Sequence, residues 1–285
     1  MVGLLAGKLA VVTGSSRGIG AAIAKNLAAK GSNLVLNYTN PSSEPLAKEL
    51  ADSLASKHGV KTYVVQADLG TPTGPAEFVQ RIKDQIAGGS SSSGPLQIDI
   101  LVNNAGVALN DKITDLTVEQ FDKTYRVNVL GPLLLMQAVE PHLPRDRTGR
   151  VVNLSSVSST CGFVGQSVYG GTKAALEAMT RTWARELSER CTVNAVNPGP
   201  VMGPMYSSNT EEFKAGIKGW IEHTPLARPR PGIDSQELVD DAPSSGGRPA
   251  YTDEVAGIVG MLCTEDAAWC TGQVVCANGG MIMLH

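Results

Sequence analysis

The sequence has no long apolar run and no excess of basic residues. Its 285 residues include 24 lysines and arginines against 27 aspartates and glutamates, which gives a formal net charge of −3. A balance this close to neutral gives no reason to expect a nucleic acid or an anionic membrane as partner. The most apolar run, residues 127–139, contains Gly131 and Pro132 and is too short to span a bilayer.

Cysteines are few, and no two of them form a C-x-x-C pair. The five are Cys161, Cys191, Cys263, Cys270 and Cys276. Their odd number and wide spacing fit reduced intracellular thiols better than a disulfide framework or a zinc site, and we predict no metal site. A strand is predicted to begin by about Leu9, which leaves no room for a signal peptide. We therefore expect a soluble, cytoplasmic protein.

Short β-branched runs alternate with helical patterns along the chain. Seven strands are predicted, the first at 8–13 and the last at 272–276. This alternation is typical of a parallel sheet in which each strand is followed by a helix. The predicted fold is therefore α/β: a doubly wound seven-stranded parallel sheet with helices on both faces. Residues 1–285 are expected to form a single domain.

A glycine-rich turn follows the first predicted strand. Residues 14–20 read G-S-S-R-G-I-G, and a helical pattern then runs to Gly31. Such a turn places backbone N–H groups and a helix N-terminus where a pyrophosphate can bind. The spacing Gly14-x-x-x-Gly18-x-Gly20 differs from the common G-x-G-x-x-G fingerprint. A tight connection without a ligand is therefore the alternative interpretation of this turn.

The second predicted strand ends without a carboxylate, reading N-L-V-L-N-Y at 33–38. In a nucleotide-binding unit an acidic residue here would bond the adenosine ribose and repel a 2′-phosphate. Asn37 and Tyr38 occupy these positions instead. Arg17 in the glycine turn is placed to pair with an extra phosphate, although it is also a candidate for a solvated turn residue. Together these features favour NADP(H) over NAD.

The candidate catalytic group is Ser156, Tyr169 and Lys173. Positions i and i+4 share one helix face, so Tyr169 and Lys173 are expected to project the same way. A phenol with a pKa of about 10 is a poor proton donor at neutral pH, and a nearby ammonium favours its ionised form. The pattern Tyr-x-x-x-Lys is also common by chance. A half-buried tyrosine beside a surface lysine is the alternative.

Taken together, these motifs resemble those of the short-chain dehydrogenase/reductase family over nearly the whole chain. In order they are Thr13-Gly14-Ser15-Ser16-Arg17-Gly18-Ile19-Gly20, Asp68, Asn103-Asn104-Ala105-Gly106, Asn128, Ser156, Tyr169 with Lys173, and Pro198-Gly199. The family uses T-G-x-x-x-G-x-G, which accounts for the glycine spacing. The resemblance implies a Rossmann-type fold, NADP(H) as cofactor, a small-molecule ketone or alcohol as substrate, and a homo-oligomer, either tetramer or dimer.

The resemblance also implies a role for each catalytic residue. Tyr169 would exchange a proton with the substrate oxygen, and Ser156 would hydrogen-bond that oxygen. Lys173 would hold the nicotinamide ribose and lower the pKa of Tyr169, while Asn128 would anchor a water that continues the proton relay. Ser155 is the rival for the serine role, but the thirteen-residue spacing to Tyr169 favours Ser156.

The cofactor contacts implied by the resemblance lie mainly at strand ends. Asp68 would contact the adenine, and Asn103 would lie in the central sheet beside the cofactor. The whole implied set is Gly14, Ser16, Arg17, Gly18, Ile19, Gly20, Asn37, Tyr38, Asp68, Leu69, Asn103, Asn104, Ala105, Gly106, Tyr169, Lys173, Pro198, Gly199, Val201 and Gly203.

Two positions depart from the family pattern. The family usually has a threonine where this chain has Gly203, so backbone groups of Val201 and Gly203 would have to orient the nicotinamide. Pro132 follows Asn128 by four residues and has no N–H to bond its carbonyl in a helix. One hypothesis is that this carbonyl is left free for the relay water and that the helix kinks there. The alternative is that Pro132 begins a new helix after a break at Gly131.

Two stretches do not fit the alternating pattern. Residues 88–95 read G-G-S-S-S-S-G-P and are predicted to be a flexible surface insertion. Residues 205–249 contain a helical pattern at 211–222, but 225–231 and 240–249 are rich in Pro, Gly and Ser. We expect 205–249 to be a mobile insertion over the cofactor pocket, a lid that contributes to substrate specificity.

The function favoured by these features is an NADPH-dependent ketone reductase. The N-Y-x-N segment at 37–40 and the C-terminal G-G-M-I-M look similar to polyhydroxynaphthalene reductases, while length and motif order equally resemble 3-oxoacyl-thioester reductases. An aromatic polyketide or another carbonyl of secondary metabolism is therefore a candidate substrate. One alternative is a non-catalytic NADP-binding sensor or scaffold, which would need no proton relay. Another is a dehydratase or epimerase that uses the same tyrosine and lysine.

Overall fold

A single parallel sheet of seven strands forms the centre of the molecule. The computed structural model describes residues 3–89 and 94–283. The strands are β1 (Leu9–Val12), β2 (Asn33–Tyr38), β3 (Thr62–Gln66), β4 (Ile100–Asn103), β5 (Gly149–Leu154), β6 (Cys191–Pro198) and β7 (Val274–Ala277). Their order across the sheet is β3-β2-β1-β4-β5-β6-β7. The chain reverses direction across the sheet between β3 and β4, so the carboxyl ends of β1 and β4 flank the switch point at which such sheets bind ligands.

The helices follow the strands in alternation. They are α1 (Gly18–Ala29), α2 (Glu44–His58), α3 (Gly74–Gly89), α4 (Val118–Tyr125), α5 (Gly131–Val139), α6 (Ser158–Cys161), α7 (Ser167–Glu186), α8 (Pro204–Ser207), α9 (Glu211–Glu222), α10 (Gln236–Ser245) and α11 (Thr252–Leu262). The predicted α/β fold with a seven-stranded parallel sheet is confirmed. The centre of the predicted 88–95 insertion, residues 90–93, lies outside the described residues.

Alternate residues of the strands point into two separate cores. Val12 and Val152 pack with α1, α2 and α11 on one face of the sheet. Val11 and Val151 pack with α3, α5 and α7 on the other face. Because both faces are covered, the strands are buried on both sides, which explains their continuous apolar sequence. A fully buried valine of this kind contributes roughly 1.5–3 kcal/mol relative to an exposed one.

The interruption predicted near 128–132 is a π-helical turn. Residues 126–130 form this turn between α4 and α5, and the N–H of Gly131 donates to the carbonyl of Arg126, five residues back. Leu130 keeps helical angles, φ −65° and ψ −42°, so the backbone remains helical from one helix to the next. Pro132 is the second residue of α5, and Asn128 lies inside the π-helical turn. Such turns are frequent at functional sites.

The insertion leaves and rejoins the fold at one place. Val201 and Ala250 form an isolated parallel bridge. The N–H of Met202 donates to the carbonyl of Ala250 at 2.9 Å, and the N–H of Ala250 donates to the carbonyl of Pro200 at 2.9 Å. The predicted insertion, 205–249, therefore falls within an excursion whose two ends are hydrogen-bonded together.

Composition did not predict one helix of the insertion. Helix α10 begins after Ser235, whose side chain accepts a hydrogen bond from the N–H of Leu238. It ends at Gly246, which adopts the left-handed conformation that favours glycine. Pro243 lies in the last turn, where it removes one backbone hydrogen bond without ending the helix sooner. The serines and the proline of this stretch therefore belong to the ends of a helix, whereas the composition had suggested an irregular loop.

The insertion has a small apolar core of its own. Ile217 and Ile221 of α9 are buried with Ala227, and Phe163 packs against them from the loop before α7. The insertion is thus packed against the segment that leads into α7. Within the described part of the chain, no helix combines the length and apolar character needed to cross a membrane.

Candidate active site

The turn after β1 has room for a bulky group. Gly14 and Gly18 have φ angles of 60° and 59°, which side chains disfavour. A Cβ on Gly20 would approach the amide nitrogen of Asn104 to 2.5 Å, whereas a Cβ on Gly18 would have no atom within 4 Å. The turn is therefore close-packed below and open at the N-terminus of α1. These residues fit the pyrophosphate of a dinucleotide, which helix N-termini favour.

Thr13 and Asn104 join the turns after β1 and β4. The hydroxyl of Thr13 accepts hydrogen bonds from the N–H groups of Asn104 and Ala105, both at 2.9 Å. In return the Asn104 amide donates to the carbonyls of Thr13 at 2.8 Å and Gly14 at 3.1 Å. The two turns that flank the switch point are therefore held as one unit. Thr13 was not among the predicted site residues, although it is the first residue of the glycine motif.

Asn37 supports the phosphate turn from inside the protein, which differs from the expected direct contact with a cofactor. Its side-chain oxygen accepts from the N–H of Gly14 at 3.1 Å, and its amide nitrogen donates to the carbonyl of Ala67 at 3.2 Å. Asn37 is 0% exposed and Tyr38 is also buried. Asn37 therefore shapes the turn, because its side chain is occupied within the protein.

Arg17 is exposed at the phosphate turn, and no acidic side chain in the described ranges pairs with it. Beside it lies a cavity of about 440 Å³. Lys25 of α1 and Gly203 also line this cavity, which therefore joins the phosphate turn to the segment after β6. Neither Tyr169 nor Lys173 lines it. The cavity corresponds to the phosphate end of the site rather than to the reacting end.

The other predicted cofactor residues divide by their exposure. Asp68 is exposed, and its carboxylate accepts from the N–H of Gly70 at 2.9 Å, which holds it at the end of β3. Leu69 is buried behind it. Asn103 points into the sheet, where its amide donates to the side chain of Asn153 at 2.8 Å. Asp68 remains accessible to a ligand, and Asn103 is a structural residue of the central strands.

The end of β6 lies beside the residue that follows Ser156. The N–H of Val157 donates to the carbonyl of Pro198 at 3.0 Å, which joins the two segments. A Cβ on Gly199 would meet the Cβ of Asn278 at 3.4 Å. Gly203 has a φ of 143° and no neighbour at the position of a Cβ. At Gly203, where the family usually has a threonine, the segment after β6 therefore has free space on the side that a side chain would occupy.

Ser156, Tyr169 and Lys173 come together at the carboxyl end of β5. Tyr169 is 8% exposed and Lys173 is 5% exposed. The ammonium of Lys173 lies 5.7 Å from the centre of the Tyr169 ring and donates to the carbonyl of Leu154 at 2.7 Å. The hydroxyl of Ser156 acts on that of Tyr169 and lowers its pKa, and it also donates to the hydroxyl of Ser158 at 3.0 Å. Tyr169 and Lys173 are therefore buried together, and the half-buried Ser156 lies beside them.

Burial shifts the pKa values of this group in opposite directions. It raises the pKa of Tyr169, and the hydrogen bond from Ser156 only partly opposes that shift. The expected lowering of the Tyr169 pKa by Lys173 is not found in the free chain, where loss of solvation has the largest effect on that pKa. Burial lowers the pKa of Lys173 to about 8, against the opposing charge of Glu177. At neutral pH Tyr169 keeps its proton and Lys173 keeps its charge.

Asn128 links the loop after β4 to α7. Its side-chain oxygen accepts from the N–H of Val107 at 2.9 Å, while its nitrogen donates to the carbonyl of Val107 at 2.8 Å and to the hydroxyl of Thr172 at 3.1 Å. A Cβ on Gly106 would meet the Asn128 side chain at 3.3 Å and the Lys173 amine at 3.5 Å. The side chains of Asn128 and Lys173 therefore both lie against the Cβ side of Gly106. The predicted water contact of Asn128 would have to use its main-chain carbonyl.

Ser155 is occupied away from the substrate position. Its hydroxyl donates to the carboxylate of Glu177 at 2.6 Å, and Ser155 is buried. Ser156 is less buried, and its hydroxyl donates to the hydroxyl of Ser158 at 3.0 Å, a weaker partner than a buried carboxylate. Ser156 therefore stays the predicted serine.

Three side-chain amides that the sequence did not single out form a chain near Tyr169. Gln166 donates to the side-chain oxygen of Asn110 at 3.0 Å, and Asn110 donates to that of Asn209 at 2.8 Å. They come from the residue before α7, the loop after β4, and the insertion. The oxygen of Gln166 is buried and has no hydrogen-bond partner among the described residues. No sequence pattern indicates these three positions. They become recognisable only because the fold brings their side chains together.

Among the described residues, no three His, Cys, Asp or Glu side chains are grouped so that they could hold a metal ion.

The sequence pattern of the chain matches a known family. A model described as short chain dehydrogenase matches residues 8–214.

Known proteins resemble this chain over almost their entire length. L-xylulose reductase of Aspergillus niger is 50% identical over 297 residues, an alignment that covers 97% of this chain and 98% of the relative. L-xylo-3-hexulose reductase of Hypocrea jecorina is 48% identical, in an alignment that covers 97% of this chain and 97% of that relative. Among solved structures, the angucycline C-6 ketoreductase LanV with bound NADP superposes with a TM-score of 0.80 at 31% identity, covering 98% of this chain and 97% of that one.

Proposed function

The chain belongs to the short-chain dehydrogenase/reductase family, and from that premise we propose that it is an NADPH-dependent ketone reductase. The observation that carries the proposal is the grouping of the buried Tyr169 and Lys173 with the half-buried Ser156. Its tyrosine is a proton donor at neutral pH, and its lysine is still charged there. A protein that only bound the cofactor would need neither property. Members of the family act on CH–OH and C=O groups.

NADPH is the proposed cofactor because of the charges around the phosphate turn. Arg17 is exposed there without an acidic partner, and β2 ends in Asn37 and Tyr38 in place of a carboxylate. The extra phosphate would thus meet a guanidinium that it can pair with in two hydrogen bonds. The solved relative with bound NADP supports this choice.

The residues divide the reduction of a ketone between them. Bound NADPH supplies a hydride to the carbonyl carbon. Tyr169 gives its hydroxyl proton to the carbonyl oxygen, so that the product is an alcohol, and Ser156 hydrogen-bonds the same oxygen. Lys173 stabilises the negative charge left on Tyr169 until a proton returns. Tyr169 can act as the acid because burial keeps it protonated at neutral pH.

We propose a short, polyhydroxylated ketone as substrate. The two related reductases of L-xylulose and L-xylo-3-hexulose support this class. The free oxygen of Gln166 supports it independently, because a buried acceptor without a partner costs about 1–3 kcal/mol. A substrate hydroxyl would satisfy that oxygen. The amide chain through Asn110 and Asn209 would hold Gln166 in place and bring the insertion into contact with the substrate site.

An aromatic polyketide ketone is the second candidate, and a cluster of rings favours it. Phe163 makes edge contacts with Phe213 and Trp220 of the insertion, with ring centres 6.5 and 5.6 Å apart. Such rings could pack against a fused aromatic substrate. The solved angucycline ketoreductase belongs to the same family at 31% identity.

Substrate specificity is tested with NADPH oxidation on two ketones, L-xylulose and the bicyclic aromatic ketone 1-tetralone. We expect higher kcat/KM for L-xylulose. Gln166→Leu should lower kcat/KM for L-xylulose by about 10–100-fold, since one hydrogen bond to the substrate is lost, and should leave 1-tetralone unaffected. The matched control is Gln80→Leu on the exposed surface of α3, which should change neither value.

Other outcomes would identify the alternative functions. A preference for 1-tetralone that survives Gln166→Leu would favour the aromatic substrate. NADPH binding without turnover of any ketone would favour a sensor or scaffold. Conversion of a substrate without net consumption of NADPH would favour a dehydratase or epimerase.

A further inference from the structure

Glu177 is a buried carboxylate beside the catalytic group. It lies on α7 one helical turn after Lys173 and is only 6% exposed. The hydroxyls of Ser155 and Ser159 lie 2.6 and 2.7 Å from the same oxygen of its carboxylate. A buried carboxylate is costly unless hydrogen bonds satisfy it, so these two serines make its position tenable.

The two serines lie on either side of Ser156. Ser155 follows the end of β5 and immediately precedes Ser156, and Ser159 lies three residues after Ser156 in α6. The hydroxyl of Ser159 is also 2.8 Å from the carbonyl oxygen of Ser156. Glu177 therefore connects α7 to both ends of the short turn that carries Ser156. A rotation of that turn would move the Ser156 hydroxyl relative to Tyr169.

Glu177 also acts on Lys173 through its charge. Residues four apart on a helix are neighbours, and both side chains are buried. The field of Glu177 raises the pKa of Lys173, against the larger effect of burial, which lowers it. In a buried site such a charge is only weakly screened by salt.

No second acid does the same for Lys173 in the described part of the chain. Helix α6 and strand β6 contain no charged residue, and Cys161 is the only titratable group of α6. Arg150 of β5 bonds the carbonyl of Thr264 and so faces α11. The charged residues of α4 and of the π-helical turn are exposed to solvent, and Tyr125 contacts α7 near Gly171.

We propose that Glu177 is a positioning residue of this reductase: it fixes the Ser156 turn through Ser155 and Ser159, and it supplies the buried negative charge that acts on Lys173. The proposal rests on the proposed ketone reduction and goes beyond it. It assigns one residue two separable effects. Loss of the hydrogen bonds should lower kcat, whereas loss of the charge should change the pH at which Lys173 loses its proton.

The test compares pH profiles of kcat/KM for L-xylulose reduction. Glu177→Gln keeps the size of the side chain and removes its charge. We expect the alkaline limb to move to lower pH by about one unit, because Lys173 then loses its proton more readily. Glu186→Gln makes the same change on the exposed end of α7 and should leave the limb in place. Ser159→Ala removes a hydrogen bond but no charge, and should lower kcat with the limb unmoved.

A second readout needs no turnover. The pH dependence of NADPH affinity reports the ionisation of Lys173 if that residue holds the cofactor, and Glu177→Gln should shift it in the same direction. A wild type that binds NADPH with this pH dependence and reduces no ketone would refute the proposed function but leave the charge effect of Glu177 standing. Both profiles unchanged in folded Glu177→Gln would overturn the proposal.

Thermal unfolding of each variant without cofactor confirms that it folds. If Glu177→Gln does not fold, Glu177→Asp keeps the charge and shortens the reach to the two serines. A lower kcat with an unmoved alkaline limb would then support the proposal. Wild-type kcat in Glu177→Asp, or a limb that moves although the charge is kept, would overturn it.

Discussion

At the scale of single residues, burial decides the protonation of the catalytic group. A buried site disfavours charge, so it keeps the phenol of Tyr169 neutral and makes the ammonium of Lys173 easier to deprotonate. The pKa of Lys173, about 8, still leaves it charged at neutral pH. Both residues therefore hold their protons near pH 7. This state suits the reduction of a carbonyl, whereas oxidation of an alcohol needs Tyr169 without its proton and should be favoured at higher pH.

The choice of cofactor depends on Arg17. Arg17→Ala removes the one exposed guanidinium of the phosphate turn. We expect NADPH affinity to fall about 10–100-fold, as for the loss of a charge-assisted hydrogen bond of about 1.5–3 kcal/mol. NADH affinity should change little because NADH lacks the extra phosphate. Fluorescence titration of both cofactors measures this, with Arg185→Ala on exposed α7 as control. Equal losses for both cofactors would contradict the assignment.

Some site residues could be predicted from sequence because their spacing follows backbone geometry. Tyr169 and Lys173 share a helix face by their four-residue spacing, and Gly14 follows a strand end. Glu177 lies on the same helix face one turn later, so helical spacing indicates its position. Nothing in the sequence shows that Ser155, just after β5, and Ser159 of α6 bond its carboxylate. Asn37 was placed correctly along the chain, but the direction of its side chain depends on β3.

At the scale of elements, the π-helical turn before α5 should depend on Pro132. Pro132→Ala restores an N–H that can bond the carbonyl of Asn128 in the ordinary helical pattern. If that carbonyl holds a relay water, kcat should fall about tenfold or more, because a proton-transfer step is impaired. The unfolding midpoint should stay the same or rise, because the substitution replaces a proline within a helix by a residue that can donate a backbone hydrogen bond.

Pro141→Ala is the matched control for this change, because Pro141 is exposed in the 3₁₀ turn after α5. It should affect neither kcat nor the unfolding midpoint. Wild-type kcat in Pro132→Ala would show that Pro132 serves only the shape of the helix.

The insertion is anchored by an ionic cluster around the buried side chain of Asp234. Its carboxylate accepts from the guanidinium of Arg230 at 2.6 Å and from the hydroxyl of Tyr251 at 3.1 Å, and Arg248 lies 3.6 Å away. The hydrogen bonds from Arg230 hold the pKa of Asp234 well below its usual range. Arg248 also pairs with Glu254 of α11 at 2.7 Å. The cluster thus ties the segments on both sides of α10 to the start of α11.

Because of this cluster, we expect the folded structure of the insertion to depend on the negative charge of Asp234. Because the folded pKa of Asp234 is depressed, its stabilising effect is present above the unfolded pKa of about 3.9 and is lost only as pH falls below it. Asp234→Asn should therefore speed cleavage within 202–249 by a protease at pH 7. The exposed Asp240→Asn is the control. Wild-type cleavage rates in Asp234→Asn would contradict the anchoring role.

Helices and strands could be predicted from the sequence where their apolar residues follow one regular spacing. Helix α9 runs over 211–222 as predicted, since its apolar residues recur at helical spacing. Helix α10 was not predicted because serine and proline are common in loops, and here they act as its cap and its last turn. The docking of α9 on Phe163 is a tertiary contact that no local pattern encodes.

At the scale of the whole molecule, the fold could be predicted because a parallel sheet needs a crossover after every strand. Alternating strands and helices leave few arrangements, and β1 next to β4 creates the switch point. The substrate could not be predicted in this way. It depends on how three separate segments bring Asn110, Gln166 and Asn209 together.

The assembly of the molecule is open to a direct measurement. Val118 and Phe121 of α4 are exposed apolar side chains, and Trp269 before β7 is fully exposed. We expect these surfaces to associate, giving a dimer or tetramer of the 29.8 kDa chain by sedimentation or mass photometry. Trp269→Lys should shift the mass toward smaller species. A monomer at micromolar concentration would contradict this expectation.

The most direct test of the proposed reductase compares wild type with Tyr169→Phe in NADPH oxidation by L-xylulose. The variant loses only the proton that Tyr169 gives to the carbonyl oxygen. We predict stoichiometric formation of alcohol by wild type and a rate about 10²–10⁴-fold lower for Tyr169→Phe, with NADPH affinity and unfolding midpoint unchanged. Equal rates in the two proteins, or NADPH binding by wild type without reduction of any ketone, would contradict it.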